Sequence, residues 1–254
     1  MHQKLLFQLK HLSKTLTQQL GYDITSRRSH LRPAGDMVFM LETLKERGLK
    51  VQWILDVGAN KGEWSRMAKS VFSQANCFLI EPQLELQSKL DQFCQQFPGS
   101  QWKLAGAGST AGELCLTVWD DLAGSLFLPD QATTAEANQQ RIVPVITIDT
   151  LISENTLPVP EIVKLDVQGF ELEVLKGASQ LFDKTEVFIL EVALFEFLPG
   201  QPLFAEVVQF MHDRGYVVYD FPGFIRRPYD GALGQCDVCF VRRDGFLRTV
   251  SCWA

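Results

Sequence analysis

The chain has 254 residues, 46% hydrophobic and 21% charged, an ordinary globular composition long enough for a substantial core. No apolar run approaches the ~20 residues of a membrane span. The N-terminus interleaves Lys4, Lys10 and Lys14 with its leucines and lacks a small-residue cleavage site, so neither an integral membrane segment nor a secretory signal is expected, and the expected location is cytoplasmic.

Charge is uneven. Residues 1–32 carry a net of +5 while the whole chain carries −6, which leaves −11 on the remainder. An acidic body is a poor partner for nucleic-acid phosphates, so no nucleic-acid partner is expected. The basic arm suits either contact with an anionic membrane surface or glycan or a solvated helix face, and the solvated face is the favoured reading.

Leu5, Leu9, Leu12, Leu16 and Leu20 recur at steps of three or four, which predicts an amphipathic helix over residues 3–20 stopped at Gly21. Such a helix packs on its own domain or supplies a homodimer contact, and its spacing fits either. Asp36 is the candidate N-cap of a helix over residues 37–47, ended by Gly48. Residues 1–48 therefore read as a helical arm and 49–254 as the main domain.

Residues 51–55 have strand composition and run into Asp56-Val-Gly-Ala-Asn-Lys-Gly62. Beyond it, Trp64, Met67, Ala68, Val71 and Phe72 fall at helical spacing. A buried strand, a glycine turn and a helix open a doubly wound α/β domain, in which ligands sit at the carboxyl ends of the strands. The dinucleotide fingerprint would need glycine at 58, 60 and 63, and Asn60 and Glu63 break it. No Lys-Ser/Thr pair follows for a phosphate loop either.

The pattern is D-x-G-x-N-x-G, which suits a ligand with an amino-acid end. Asp56 and backbone carbonyls can take an ammonium, and N–H groups at the helix start can take a carboxylate. Residues 76–80 read as the next strand and end in Glu81-Pro82, where a carboxylate can accept both hydroxyls of a ribose. An amino acid joined to a nucleoside is S-adenosylmethionine. Asp56, Gly58, Ala59, Asn60, Gly62, Glu81 and Pro82 are the expected cofactor set.

A helix is predicted over 84–97 and a third strand over 102–105, ending in Gly106-Ala-Gly108. Those small residues leave room for an adenine or simply turn the chain. Residues 113–119 read as an additional strand. The polar stretch 120–141 has the length of a lid or substrate loop. Residues 142–148 return to strand character, with Asp149 expected to cap a short helix through 153.

Next come a buried strand over 162–166, a helix carrying Phe170, Val174, Ala178 and Leu181 on one face, a strand over 186–190 ending at Glu191, and a helix over 203–214. Two last strands, 216–220 and 236–242, flank a loop expected to set specificity. Strands separated by helices, then a closing pair, predict a mostly parallel sheet with an antiparallel edge hairpin.

Asp56-Val-Gly-Ala-Asn-x-Gly62, Ile80-Glu-Pro82, Lys164-Leu-Asp-Val-Gln-Gly-Phe-Glu171 and Val174-Leu-Lys-Gly177 stand in this order within roughly residues 50–243. Together they resemble the FkbM-type methyltransferases, class I S-adenosylmethionine-dependent enzymes that are mostly O-methyltransferases. The resemblance implies a Rossmann-like fold with a seven-stranded, mostly parallel sheet and an antiparallel last strand. The chain departs from it at Gln168, where the family more often has Glu.

Methyl transfer from a sulfonium to a hydroxyl depends on in-line positioning and is helped by a base or metal at the acceptor oxygen. Asp166 and Glu191, at the ends of two successive strands and at acidic positions of the family motif, are the candidate catalytic acids. Glu171 and Asp237 are candidate substrate-binding groups. Each has a plainer use: strand-end acids cap helices or bond loops, and an acid in a first turn suits the helix dipole.

A divalent metal is possible, but no ligand spacing indicates one. Cys236-Asp-Val-Cys239 lacks a second pair, and strand positions three apart face opposite sides. The six cysteines are expected to remain thiols. The expected acceptor is a hydroxyl of a small molecule or glycan, because Asp166-Val-Gln-Gly169 stands where amino-group methyltransferases carry [DN]-P-P-[YF]. Two other readings are a dinucleotide-linked α/β protein, opposed by the glycine spacing, and a non-catalytic module that binds the cofactor without turnover.

Overall fold

A computed structural model describes residues 34–118, 126–127 and 140–253. The predicted helix over 3–20, the homodimer contact assigned to it and most of the 120–141 stretch lie outside the described residues.

In chain order the elements are α1 (Met37–Glu46), β1 (Trp53–Val57), α2 (Glu63–Val71), β2 (Asn76–Glu81), α3 (Gln87–Gln96), β3 (Gln101–Leu104), β4 (Gly106–Ala107), β5 (Gly112–Thr117) and β6 (Leu126–Phe127). They continue with β7 (Gln140–Ile146), α4 (Ile148–Ser153), β8 (Ile162–Leu165), α5 (Glu171–Lys176), β9 (Val187–Ala193), α6 (Phe204–Asp213), β10 (Tyr216–Arg226) and β11 (Leu233–Arg242). No helix among the described residues is long and apolar enough to cross a membrane.

Seven strands form the main sheet in the order β10-β11-β9-β8-β1-β2-β3. All run parallel except β11, which is antiparallel to both β9 and β10. The last strand is thus inserted one place in from the edge. Period-two alternation splits the core into two layers. Leu55, Val57, Val163, Leu165, Phe188 and Leu190 pack with α5 and α6 on one face. Ile54, Ile162, Val187, Ile189 and Cys239 pack with α1, α2 and α3 on the other. Each such Leu, Ile or Phe contributes about 1.5–3 kcal/mol on burial, which is why the strands read as nearly continuous apolar runs.

Asp36 caps α1 as expected, its Oδ1 accepting the Phe39 N–H at 2.8 Å. Two local expectations are corrected. Thr147, not Asp149, caps α4, its Oγ1 accepting the Thr150 N–H at 3.0 Å. Asp149 instead accepts the N–H groups of Ser179 and Gln180 at 2.9 and 2.8 Å, pinning the chain after α5.

The expected loop 221–235 is mostly strand. β10 runs on to Arg226 through register shifts around Asp220 and Gly223, and β11 begins at Leu233. An edge strand tolerates a proline such as Pro222, since its missing N–H need not meet a neighbour. The small residues after β3 seed a second sheet of order β4-β7-β5-β6. Arg141 on β7 donates to both Glu85 carboxylate oxygens, at 2.7 and 2.6 Å, holding that sheet beside the start of α3.

Candidate active site

The carboxyl ends of β1, β2 and β8 open onto a cavity of about 510 Å³. Of the residues singled out from the sequence, Asp56, Gly58, Ala59, Asn60, Glu81, Pro82, Asp166 and Glu191 line it, and Gly62, Glu171 and Asp237 do not.

One half of the cavity is built by the turn after β1. The Gly58 and Ala59 N–H groups both donate to Ile80 O, at 2.9 and 3.2 Å, which ties the turn to β2. Gly58 has φ +77°, and a Cβ there would run into the Asp166 carbonyl oxygen, so only glycine lets the β1 and β8 turns touch. Asn60 and Gly62 are also left-handed, at φ 48° and 73°, and swing the chain into α2.

Glu81 faces this turn: Oε2 accepts the Asn60 N–H at 2.7 Å and Oε1 the Gln83 N–H at 3.0 Å. Burial raises the Glu81 carboxyl above its ordinary range, and those two N–H groups oppose the shift. Asp56 is fully enclosed, and burial pushes it up to about 7 against the Ser65 hydroxyl, 2.6 Å away, and the Lys164 ammonium. Ala105, Gly106 and Ala107 give the wall space. The indole N–H of Trp64, another lining residue, is buried and has no hydrogen-bond partner among the described residues.

The other half is polar. By alternation Asp56, Lys164, Glu191 and Asp237 share one face of the sheet, with Asp56 in register with Lys164 and Asp237 with Glu191. Lys164 Nζ lies 2.9 Å from Asp237 Oδ1 and 3.4 Å from Asp166 Oδ2. Burial alone would depress this ammonium, but Asp166, Asp237 and Glu191 outweigh it and hold Lys164 charged. Gln168 Nε2 donates to Asp166 Oδ1 at 3.0 Å and to Glu191 Oε2 at 3.1 Å. Gln235 Nε2 donates to the same Glu191 oxygen at 3.0 Å. Burial and then the like charge of Asp166 push Glu191 up to about 8, with Lys164 opposing.

Glu171 sits apart from the cavity lining. Its Oε1 accepts the N–H groups of Val167 and Gly169, both at 3.2 Å, so it holds the turn after β8, and burial raises it to about 7. Asp237 is the buried lysine's partner, and Gly62 is the N-cap position of α2. Cys236 and Cys239 belong to opposite core layers, and all six cysteines are thiols. Among the described residues no group of three or more His, Cys, Asp or Glu is arranged to hold a metal ion.

Sequence reasoning missed Lys164, Gln168, Gln235 and Trp64 as site residues. For Lys164 a signal existed: a lysine between Val163 and Leu165 in a buried strand must find a carboxylate. Gln235 carried none, since it stands in the stretch that reads as loop.

The sequence profile of the Methyltransferase FkbM domain matches residues 56–218. Among curated proteins, the hexuronic acid methyltransferase AglP of Haloferax volcanii is 25% identical over 197 residues, covering 74% of this chain and 77% of the relative. Among solved structures, a methyltransferase FkbM from Methylobacillus flagellatus has a TM-score of 0.48 at 17% identity over 78% of this chain. This chain spans only 47% of that one. An rRNA methylase from Streptococcus thermophilus has a TM-score of 0.46 at 8% identity, covering 84% of this chain and 99% of its own.

Proposed function

The chain belongs to the FkbM methyltransferase family, and we propose that it uses S-adenosylmethionine to methylate a hydroxyl of a glycan or small molecule. The observation that carries this reading is Glu81 at the tip of β2, on the cavity wall and hydrogen-bonded to the Gly58–Gly62 turn through the Asn60 N–H.

The lining suits that cofactor. A cavity of about 510 Å³ lies within the ~300–1,000 Å³ of small-molecule sites. Asp56 and the β1 turn suit the amino-acid end, Glu81 the ribose hydroxyls, and Ala105, Gly106 and Ala107 a flat base. Among the described residues the Trp64 indole N–H is a buried donor without an acceptor, which a polar ligand can supply. The acidic lining favours a cation. When bound, the cofactor supplies a methyl group on a sulfonium, an electrophile that needs only a well-placed oxygen.

The protein's share is positioning, where effective molarities correspond to about 7–11 kcal/mol in ideal cases, together with handling of the hydroxyl proton. Asp166 and Glu191, which both line the cavity, are the groups proposed for that task. Hexuronic acid is named for the Haloferax relative, so hexuronate glycosides are the first acceptors to try.

The test is incubation with methyl-labelled cofactor and hexuronides, neutral hexosides, deoxysugars and polyketide alcohols. A one-methyl mass gain located on a hydroxyl supports the reading. A gain on a carboxylate oxygen or a nitrogen overturns its acceptor half. Failure to bind the cofactor at all overturns the whole.

A further inference from the structure

Resting on the methyl-transfer reading above, we propose that Glu191 takes the proton of the acceptor hydroxyl, and that Gln168 and Gln235 are positioning residues holding its carboxylate at the cavity wall. Two amides from different elements, the turn after β8 and the start of β11, converge on one oxygen, Oε2, and leave Oε1 outside the clamp. The backbone beneath is a fully buried strand, with Leu190 and Val192 packed in the core on either side. A side chain fixed by its strand and by two donors keeps one geometry through a reaction cycle.

Of the neighbouring acids, Asp237 is committed elsewhere, while Asp166 is hydrogen-bonded to Glu191 itself and raises its carboxyl. Asp166 has one oxygen on Gln168 Nε2 and the other 3.4 Å from the Lys164 ammonium. Asp237 holds the same ammonium at 2.9 Å and does not line the cavity. No lysine, arginine or histidine of the described residues lies within salt-bridge distance of Glu191. The titratable groups facing it are Lys164 and Asp166 from β8 and its turn, and Asp237 and Cys236 from β11. Burial and Asp166 lift Glu191 to about 8, so its carboxylate is far more basic than an ordinary one and matched to a proton taken near neutral pH.

The charges balance. As the hydroxyl oxygen bonds to the methyl carbon, its proton passes to Glu191 and the carbon–sulfur electron pair stays on sulfur. One carboxylate and one sulfonium are neutralised together, leaving a carboxylic acid, an ether and a thioether.

The experiment that tests this reads the carboxyl directly, by carbon-13 NMR titration of protein labelled at the glutamate side-chain carboxyl, with Glu191→Gln identifying the signal. Glu191 is expected to titrate at least two pH units above the ordinary glutamate value of about 4.3. Gln235→Leu removes a donor to the charged form and moves the midpoint up by roughly one unit, whereas Asp166→Asn removes a like charge and moves it down. A Glu191 midpoint in the ordinary range, or one that Gln235→Leu leaves in place, overturns the proposal.

With an accepted hydroxyl substrate, Glu191→Gln should lose about 100-fold or more in kcat. Gln235→Leu should shift the acid limb of the pH–rate profile in step with the NMR midpoint. Retention of turnover in Glu191→Gln overturns the proposal. Calorimetry with S-adenosylhomocysteine on the same samples keeps the readings apart: normal cofactor binding with an ordinary Glu191 sinks only the base assignment.

Discussion

Lys164 on β8 and Asp237 on β11 form an ion pair 2.9 Å long that spans the strand between them, β9. The pair bridges two sheet positions that share no backbone hydrogen bonds, and it places a cation beside Asp166 at the cavity wall. Gly223, in register with Asp237 on β10, has no room for a Cβ, which would strike the Asp237 carboxylate. The edge strand yields space so that this carboxylate can sit beside the lysine.

Breaking the pair from one side leaves buried charge without compensation. Lys164→Met is expected to cost about 3–5 kcal/mol, measured as a shift of the urea midpoint. The double variant Lys164→Met, Asp237→Leu should recover at least half of that loss, because a well-packed apolar pair often replaces a buried ion pair without penalty. Additive losses would show that the two side chains are not coupled.

The contact between the β1 and β8 turns makes the glycines unequal. Gly58→Ala must move the Asp166 backbone as well as adopt a left-handed conformation, and an expected cost of about 3 kcal/mol or more follows. Gly62→Ala meets only side-chain carbons, those of Leu79 and Phe93 at 3.4 Å and Leu90 at 3.7 Å, and should lose about 1–2 kcal/mol. Equal unfolding midpoints for the two variants would contradict this ranking.

This contrast also marks what was legible in the sequence. The β1 strand, its glycine turn and the acid at the end of β2 are local: strand composition, Gly58 and Glu81 lie within one βαβ unit, so their meeting at one cavity follows from spacing. The Lys164–Asp237 and Glu191–Gln235 partnerships depend on β11 being inserted between β9 and β10, a pairing that no local pattern encodes. Pro222 and Gly223 read as loop signals because both are turn residues in isolation. In the fold, one sits on an edge strand and the other makes room for a neighbour's carboxylate. Glu171 reads as an acid in a first turn, and only its contacts with Val167 and Gly169 reveal that it holds the turn behind it.

Asp56 should make the unliganded protein less stable as pH rises. Its carboxyl ionises near 3.8 when unfolded and at about 7 when folded, so the unfolded chain loses its proton first and stability declines across that window, then levels off. Asp56→Asn removes the penalty and should raise Tm by several degrees at pH 8, an effect on the order of 2–4 kcal/mol, with little change near pH 4. Tm measured across that range checks it, and an equal loss at both ends would contradict the sign.

Glu171 is expected to act on the turn and not on the acceptor. Glu171→Ala strips two backbone N–H groups of their partner and should lower stability by about 1–3 kcal/mol. Cofactor affinity should change less than about threefold, since the side chain does not line the cavity. A large loss of affinity without a loss of stability would reverse the assignment.

The central claim is that the tips of β1 and β2 hold a methionine-bearing nucleoside. It is tested most directly by titration calorimetry of the protein with S-adenosylhomocysteine, alongside Glu81→Ala. Saturable one-site binding is expected, weakened about 10–100-fold in the variant as charge-assisted hydrogen bonds are lost. Absence of heat from the unaltered protein, or binding that Glu81→Ala leaves unchanged, would contradict the account.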